Sequence, residues 1–284
     1  MNSATPDRMD QQAFWNGSAG RNWTDFQETL DATLVPVLQK LLARGAVKPG
    51  ERVIDVGCGC GASSIELGNQ VGAHGEVLGI DISSEMLTRA RHRTPGGLHV
   101  RYLLADAGRH AFVPDHFDVL FSRFGVMFFD EPERAFTNLA GAMRPGGRVV
   151  FACWRQPRDN PYFILPLQEA YKHVPKLPEV KPDDPGPFAF ASEERVHRIL
   201  GAAGFASIAM EPFDTPLDMA AGRGLDHALH FALSIGPTAR ALEGQPQDKV
   251  AAAAQSVREA LARHVDGNSV NLKGAIWIVT AVRP

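Results

Sequence analysis

The sequence predicts an α/β fold, a mostly parallel sheet with helices on both faces. Three observations predict it. Short apolar runs (53–56, 77–80, 117–122) alternate with stretches at helical spacing, the pattern of β-α-β units in a parallel sheet. Three glycines at alternate positions, Gly57, Gly59 and Gly61, join the first apolar run to the helical stretch 62–71. The second run ends on an acid, Asp81, where a nucleotide-binding α/β sheet holds a ribose.

Composition bounds the rest. With 284 residues, 44% hydrophobic and 21% charged, the chain has enough apolar surface for one large domain or a domain with an appended cap. A net charge of −3 argues against a protein that holds nucleic acid mainly through phosphates. No apolar run approaches the roughly 20 residues that cross a bilayer. The first ten residues carry no apolar signal region, which places the expected site of action in the cytoplasm. Cys58, Cys60 and Cys153 do not make a disulfide framework. The C-x-C of Cys58 and Cys60 has no second ligand pair at zinc-like spacing, so no metal is expected.

In chain order, residues 13–27 carry Phe14, Trp15, Trp23 and Phe26 ahead of any core strand. They read as a helix pinned by aromatic anchors or as a lid. Leu30, Leu34, Val37, Leu38, Leu41 and Leu42 follow helical spacing. Pro36 within them implies a kink, or a first turn behind Thr33. Gly45 stops that helix, and a turn at 48–50 leads into the first strand. After Asp81, Ser83 is the expected N-cap of a helix carrying Met86, Leu87 and Ala90. A third strand, 99–105, ends at Asp106 and Ala107. The fourth, 117–122, runs into an apolar loop, 123–129. Asp130, Pro132 and Glu133 read as a capping box that opens a helix with Phe136, Leu139 and Met143 inward. Arg144-Pro145-Gly146-Gly147 turns into a fifth strand, 148–154.

Residues 156–190 hold eight prolines and no clear period, and are expected as an excursion or lid rather than core. Ser192 caps a helix with Val196, Ile199 and Leu200 inward. A sixth strand is expected at 205–213. Residues 215–271, with helical stretches at 225–234 and 247–264, interrupt the closing hairpin, and 275–282 form the last strand. The expected division is a helical cap (1–45), an α/β core (46–156), a proline-rich lid (157–190) and a completion of the sheet (191–284) with its insertion at 215–271.

Ile54-Asp55-Val56-Gly57-Cys58-Gly59-Cys60-Gly61, with Asp81 and Asp106 at the next strand ends, resembles the class I S-adenosylmethionine (SAM) dependent methyltransferases over about 50–154. The resemblance implies a Rossmann-like, seven-stranded, mostly parallel sheet whose last strand runs antiparallel beside the fifth and sixth. It implies SAM as cofactor, and it distributes roles. Asp55 would meet the methionine amino group, Gly57, Gly59 and Gly61 would form the loop, and Asp81 would take the ribose hydroxyls. Asp106 and Ala107 would meet the adenine, with Ile82, Met86 and Ser122 around them. Trp15 and Trp23 offer faces to the sulfonium.

A dinucleotide oxidoreductase competes for the same glycines, since G-x-G-x-x-A fits at 57–62. The carboxylate of Asp55 would repel its pyrophosphate. A SAM-binding protein without transferase activity is the other alternative, and the intact glycines and Asp81 weigh against it. Ser122-Arg123-Phe124-Gly125 stands where amino-methylating nucleic-acid enzymes carry Asp/Asn-Pro-Pro-aromatic, and no Pro-Cys pair exists, so a small organic acceptor is expected rather than nucleic acid. Arg123, Phe124, Met127, Phe128 and Tyr162 are the expected acceptor contacts; Phe163, Tyr171 and His173 are further possibilities. His227 and His230 share a helical face and are the candidates for a general base, against a plain surface or capping role. The oligomeric state stays open, a homodimer being one outcome.

Overall fold

A computed structural model describes residues 10–179, 181 and 184–284. The polar residues 1–9, and three residues of the proline-rich stretch, lie outside the described residues. Helices Gln11–Trp15 (α1), Ser18–Asp25 (α2), Gln27–Thr33 (α3) and Val35–Gly45 (α4) precede the sheet. Pro36 lies in the first turn of α4, where its missing N–H costs nothing, so it does not kink the helix. Thr33 does not cap it; its hydroxyl donates to the Asp218 carbonyl at 2.7 Å instead.

The core then follows as Arg52–Val56 (β1), Ala62–Val71 (α5), Glu76–Asp81 (β2), Ser84–Arg93 (α6), Val100–Leu104 (β3), Phe117–Arg123 (β4), Pro132–Ala142 (α7) and Met143–Trp154 (β5). Beyond it come Pro161–Ala170 (α8), Glu193–Ala202 (α9), Ala206–Asp218 (β6), Leu225–Ser234 (α10), Gly236–Leu242 (α11), Gln247–Ala262 (α12), Val265–Asp266 (β7) and Ser269–Val282 (β8). The strand order is β3-β2-β1-β4-β5-β8-β6, with β7 paired to β8 alone. Strands β1 to β5 are parallel to one another, and β8 runs antiparallel between β5 and β6, as the resemblance implied.

The sheet is covered on both faces. Neighbouring residues of a strand point to opposite faces. Val150 of β5 meets α4 at Gly45, whereas Phe151 meets Phe136 of α7. Right-handed crossovers then put α5 and α6, which lead leftward from β1, on the face opposite α7, which leads rightward from β4. The chain reverses direction between β1 and β4. Their carboxyl ends frame the crevice where ligands bind in open α/β sheets.

Several local expectations need correction. Helix α7 begins at Pro132 with Glu131 as N-cap and no side-chain capping bond, so the box expected from Asp130 and Glu133 does not form. Pro132 fixes the start one residue too late for Asp130. Ser83 and Ser192 do cap, accepting from the N–H groups of Met86 and Arg195. The proline-rich stretch is not a bare excursion. It contains α8, with Pro161 tolerated in the first turn and Tyr162, Pro166 and Ala170 buried, and it ends on Phe190 at 1% exposure in the core. Strand β6 runs five residues beyond its expected end at 213, and β8 starts at Ser269 rather than 275. The carboxylate of Asp218 explains the longer hairpin: it accepts from the N–H groups of Ala220, Gly222 and Val270 at its mouth. The insertion holds a third helix, α11, between the two expected ones.

Candidate active site

The first element of the site is the turn after β1. Gly57 has φ +65°, and a Cβ there would lie 2.6 Å from the Cα of Gly125. A Cβ on Gly125 would lie 2.5 Å from the Val56 carbonyl oxygen and 2.7 Å from the Gly57 Cα. The turns after β1 and β4 therefore touch backbone to backbone. Ser122 locks the pair: its hydroxyl donates to the Val56 carbonyl at 2.7 Å and accepts from the Gly125 N–H at 3.1 Å.

Asp81 ends β2 beside this turn. Its Oδ2 accepts from the Gly59 N–H at 2.8 Å and its Oδ1 from the Ser83 N–H at 2.9 Å, which fixes the carboxylate plane. Burial raises its pKa, opposed by the N–H groups of Ser83, Gly59 and Ile82. Asp106 accepts from the Gly108 N–H at 2.8 Å and lies 3.4 Å from Arg109 Nε.

One cavity of about 1960 Å³ opens over these groups. It receives Gly57, Gly59, Asp81, Ile82, Met86, Asp106 and Ala107 from the expected cofactor set, with Trp15 and Trp23 from the cap. Arg123, Phe124, Met127, Phe128 and Tyr162 line it too, together with Phe163 and Tyr171. Trp15 stands edge-on to Trp23 at 5.7 Å and to Phe128 at 5.1 Å, so the cap closes on the loop after β4 through aromatic rings.

Three expected cofactor residues do not line the cavity. Gly61 caps α5 with φ +84°, and a Cβ there would meet the Tyr102 hydroxyl at 2.6 Å. Ser122 is spent on the turn described above. Asp55 is fully buried behind the loop: its Oδ2 accepts from Ser63 Oγ at 2.7 Å and Ser64 Oγ at 2.6 Å. Burial pushes its pKa up to about 6, against the pull of the two serine hydroxyls and of Arg123. Arg123 has partners of its own. Its Nη2 lies 3.7 Å from Asp31 Oδ1, and burial lowers its pKa while Asp31 and Asp55 raise it.

The histidine candidates are also displaced. His227 and His230 line a separate cavity of about 350 Å³ under α2 and α3. His227 Nε2 is 2.7 Å from the Thr29 hydroxyl, and burial and then Arg223 lower its pKa. Both rings pack on Phe26, so their place is the seam between the cap and α10. His173 pairs with Ser256 at 2.7 Å and is not a cavity residue.

Sequence reasoning missed Trp154 and Phe188. Trp154, at the carboxyl end of β5, stacks on Phe124 at 4.2 Å and 4° and on Tyr162 at 5.8 Å and 13°. Phe163 stands edge-on to Trp154 at 4.8 Å and to Phe188 at 5.5 Å. All five rings line the cavity. The available signal was the position of Trp154 at a strand end on the ligand side of the sheet. Phe124 holds φ +66°, an uncommon conformation for a bulky residue, at the point where the stack meets the turn after β4.

The family described as Methyltransferase domain matches residues 53–147, the segment that builds the turn, Asp81 and Asp106. Over that segment the chain carries a SAM-dependent methyltransferase domain, and its cofactor is SAM. The residues present fit that group: an open glycine backbone and an oriented carboxylate share one cavity with an apolar methionine side chain and aromatic faces. Among relatives, the ubiquinone/menaquinone biosynthesis C-methyltransferase UbiE of Ralstonia pickettii is 29% identical over 203 residues, covering 70% of this chain and 76% of that protein. Phosphoethanolamine N-methyltransferase 2 of Caenorhabditis elegans is 34% identical over 122 residues, 40% of this chain and 26% of that protein. Phosphoethanolamine N-methyltransferase 2 of Haemonchus contortus, solved with phosphomonomethylethanolamine and S-adenosylhomocysteine, shares the fold at TM-score 0.54 and 19% identity, over 88% of this chain and 52% of that one. The reductase alternative gives way to these matches. No helix of the described residues is long and apolar enough to cross a membrane.

Proposed function

We propose that this methyltransferase acts on an aromatic or lipid-like acceptor held against the ring stack of Phe124, Trp154 and Tyr162. The observation that carries the reading is that this stack lines the same cavity as Asp81 and Gly59. Ligand pockets usually measure about 300–1,000 Å³. A cavity of about 1960 Å³ therefore has room for a nucleoside cofactor and a sizeable second molecule together. The name of the UbiE relatives, quinone C-methyltransferases, supports an aromatic acceptor.

Asp81 takes the ribose hydroxyls through the oxygen lone pairs that Gly59 and Ser83 leave free. Gly57 and Gly59 let the ligand approach the main chain, and Ile82, Met86, Asp106 and Ala107 surround the adenine. Trp15 and Trp23 close over the cofactor from the cap. SAM supplies a methyl group already activated by its sulfonium. The protein's part is to align the acceptor with that carbon and to exclude water, which can account for roughly 7–11 kcal/mol of a barrier. Phe124, Met127, Phe128 and Tyr162 provide the alignment. The charge of Arg123 is matched by Asp31, so we assign it to holding the loop after β4 rather than to the acceptor. Helices α1, α2 and α11 act as the cover, and the site of action is the cytoplasm.

The test incubates purified protein with SAM and, in parallel, naphthols, quinols and phosphoethanolamine, with mass-spectrometric detection of methylated product. Methylation confined to the ring compounds supports the reading. Methylation of phosphoethanolamine alone refutes it.

A further inference from the structure

We propose that Tyr162 is the specificity-determining hydrogen-bond donor of the acceptor site, and that the acceptor it selects is an aromatic ring bearing an oxygen substituent. The inference rests on reading the aromatic half of the cavity as the acceptor site. The chain has three tyrosines, and the hydroxyls of two of them make hydrogen bonds within the protein. Tyr102 pairs with Thr94 at 2.8 Å, and Tyr171 accepts from the Leu177 N–H at 3.3 Å. Tyr162 is 6% exposed and lines the cavity, and its hydroxyl, whose pKa is shifted by burial alone, makes no hydrogen bond to another described residue. A tyrosine hydroxyl in a largely apolar site ordinarily finds a partner.

The ring, by contrast, is held firmly. It stacks on Trp154 at 5.8 Å and stands edge-on to Phe163 at 4.9 Å and 84°. A fixed ring that lines the cavity and whose hydroxyl has no partner among the described residues is a preorganised donor. Burial pushes the Tyr162 pKa up, with no opposing partner, so the group keeps its proton near neutrality. It donates to an acceptor oxygen and does not act as a base. A ring without that oxygen would leave the hydroxyl unpaired, which is how a polar group in an apolar site rejects an analogue.

The test uses Tyr162→Phe, which removes only the hydroxyl and no protein hydrogen bond. Equilibrium binding of 1-naphthol and of naphthalene is measured on wild type and variant, each saturated with S-adenosylhomocysteine, after titration of S-adenosylhomocysteine itself. Wild type should prefer 1-naphthol by roughly tenfold. The variant should lose that preference, by weaker binding of 1-naphthol, tighter binding of naphthalene or both, and keep its affinity for S-adenosylhomocysteine within about twofold. A preference that survives in the variant, or is missing in wild type, overturns the assignment of Tyr162 and leaves the cofactor site standing. So does failure of both probes to bind the loaded wild type. Failure of wild type to bind S-adenosylhomocysteine overturns the reading of the cavity and this inference with it.

Discussion

Replacing Gly125 by alanine tests the contact on which the site is built. Gly125 has φ −86° and ψ −39°, a conformation open to any residue, so alanine adds no backbone strain there. What it adds is one carbon, 2.5 Å from the Val56 carbonyl oxygen and 2.7 Å from the Gly57 Cα. Comfortable contact begins near 3.5 Å, so the two turns must separate by about 1 Å. The opposing atoms are backbone and cannot rotate aside. Overpacking of this kind costs about 1–3 kcal/mol. Taking the middle of that range at about 2–4 °C per kcal/mol, the melting temperature should fall by roughly 4–8 °C. Gly57→Ala meets the same clash with φ +65°, and the left-handed conformation adds about 1–2 kcal/mol more. Because these turns carry Val56, Gly57, Phe124 and Met127 into the cavity, S-adenosylhomocysteine should bind at least about tenfold more weakly to Gly125→Ala. Calorimetry of the free protein and isothermal titration supply both numbers. A melting temperature within about 1 °C of wild type, with affinity within about twofold, would refute the contact.

Three further outcomes are expected. Asp81→Ala should weaken S-adenosylhomocysteine by roughly tenfold or more through loss of a charged hydrogen bond to the ribose, and unchanged affinity in a folded variant would remove that role. Asn160 is fully buried, donates to the carbonyls of Arg155 and Gln156 and accepts from the Ala275 N–H. Asn160→Ala should therefore cost about 2–4 kcal/mol in a denaturant titration, and a loss below about 0.5 kcal/mol would contradict the network. Asp55 titrates at about 6 when folded against 3.8 as its ordinary value. The unfolded chain thus releases this proton first as pH rises, and the contribution of Asp55 to stability falls between about pH 4 and 6, by on the order of 3 kcal/mol. Asp55→Asn retains an oxygen for Ser63 and Ser64 but not the titration. Its stability relative to wild type should rise from pH 4 to pH 7, and a difference independent of pH would show that Asp55 is not held in its neutral form by burial.

What was legible in the sequence was short-range. The βα turn of Gly57 to Gly61, the serine caps at Ser83 and Ser192 and the strand-end acids each declare themselves within a few residues, because their hydrogen bonds close locally. The capping box at Asp130 failed over one residue, where Pro132 set the helix start. Proline count misled at 157–190 because two of the prolines sit in α8 itself, one of them in the first turn. The aromatic wall was the least legible part. Trp154, Tyr162 and Phe188 come from β5, α8 and the segment before α9, and no period links them; only the sheet brings them to one edge. The two histidines were drawn together correctly by their spacing, but the face they share turns toward the cap and not toward the cavity.

The same long-range logic explains how the cap is tied to the cofactor loop. Asp31 on α3 accepts from Gln27 at 2.6 Å, pairs with Arg93 of α6 at 2.6 Å and lies 3.7 Å from Arg123 at the end of β4. Arg93 in turn donates to the Cys60 carbonyl inside the glycine turn at 3.2 Å, and the charge of Arg123 acts on Asp55 beneath it. One cap carboxylate therefore holds the two cations that grip the turn and the end of β4. Breaking a partly buried pair leaves its partner's charge unmatched, so the cap cannot leave without loosening both ends of the crevice. Trp15 and Trp23 ride on that same cap. An N-terminal segment with no motif of its own is thus tied by charge to the glycine turn and to the end of β4, on the cavity that Trp15 and Trp23 line.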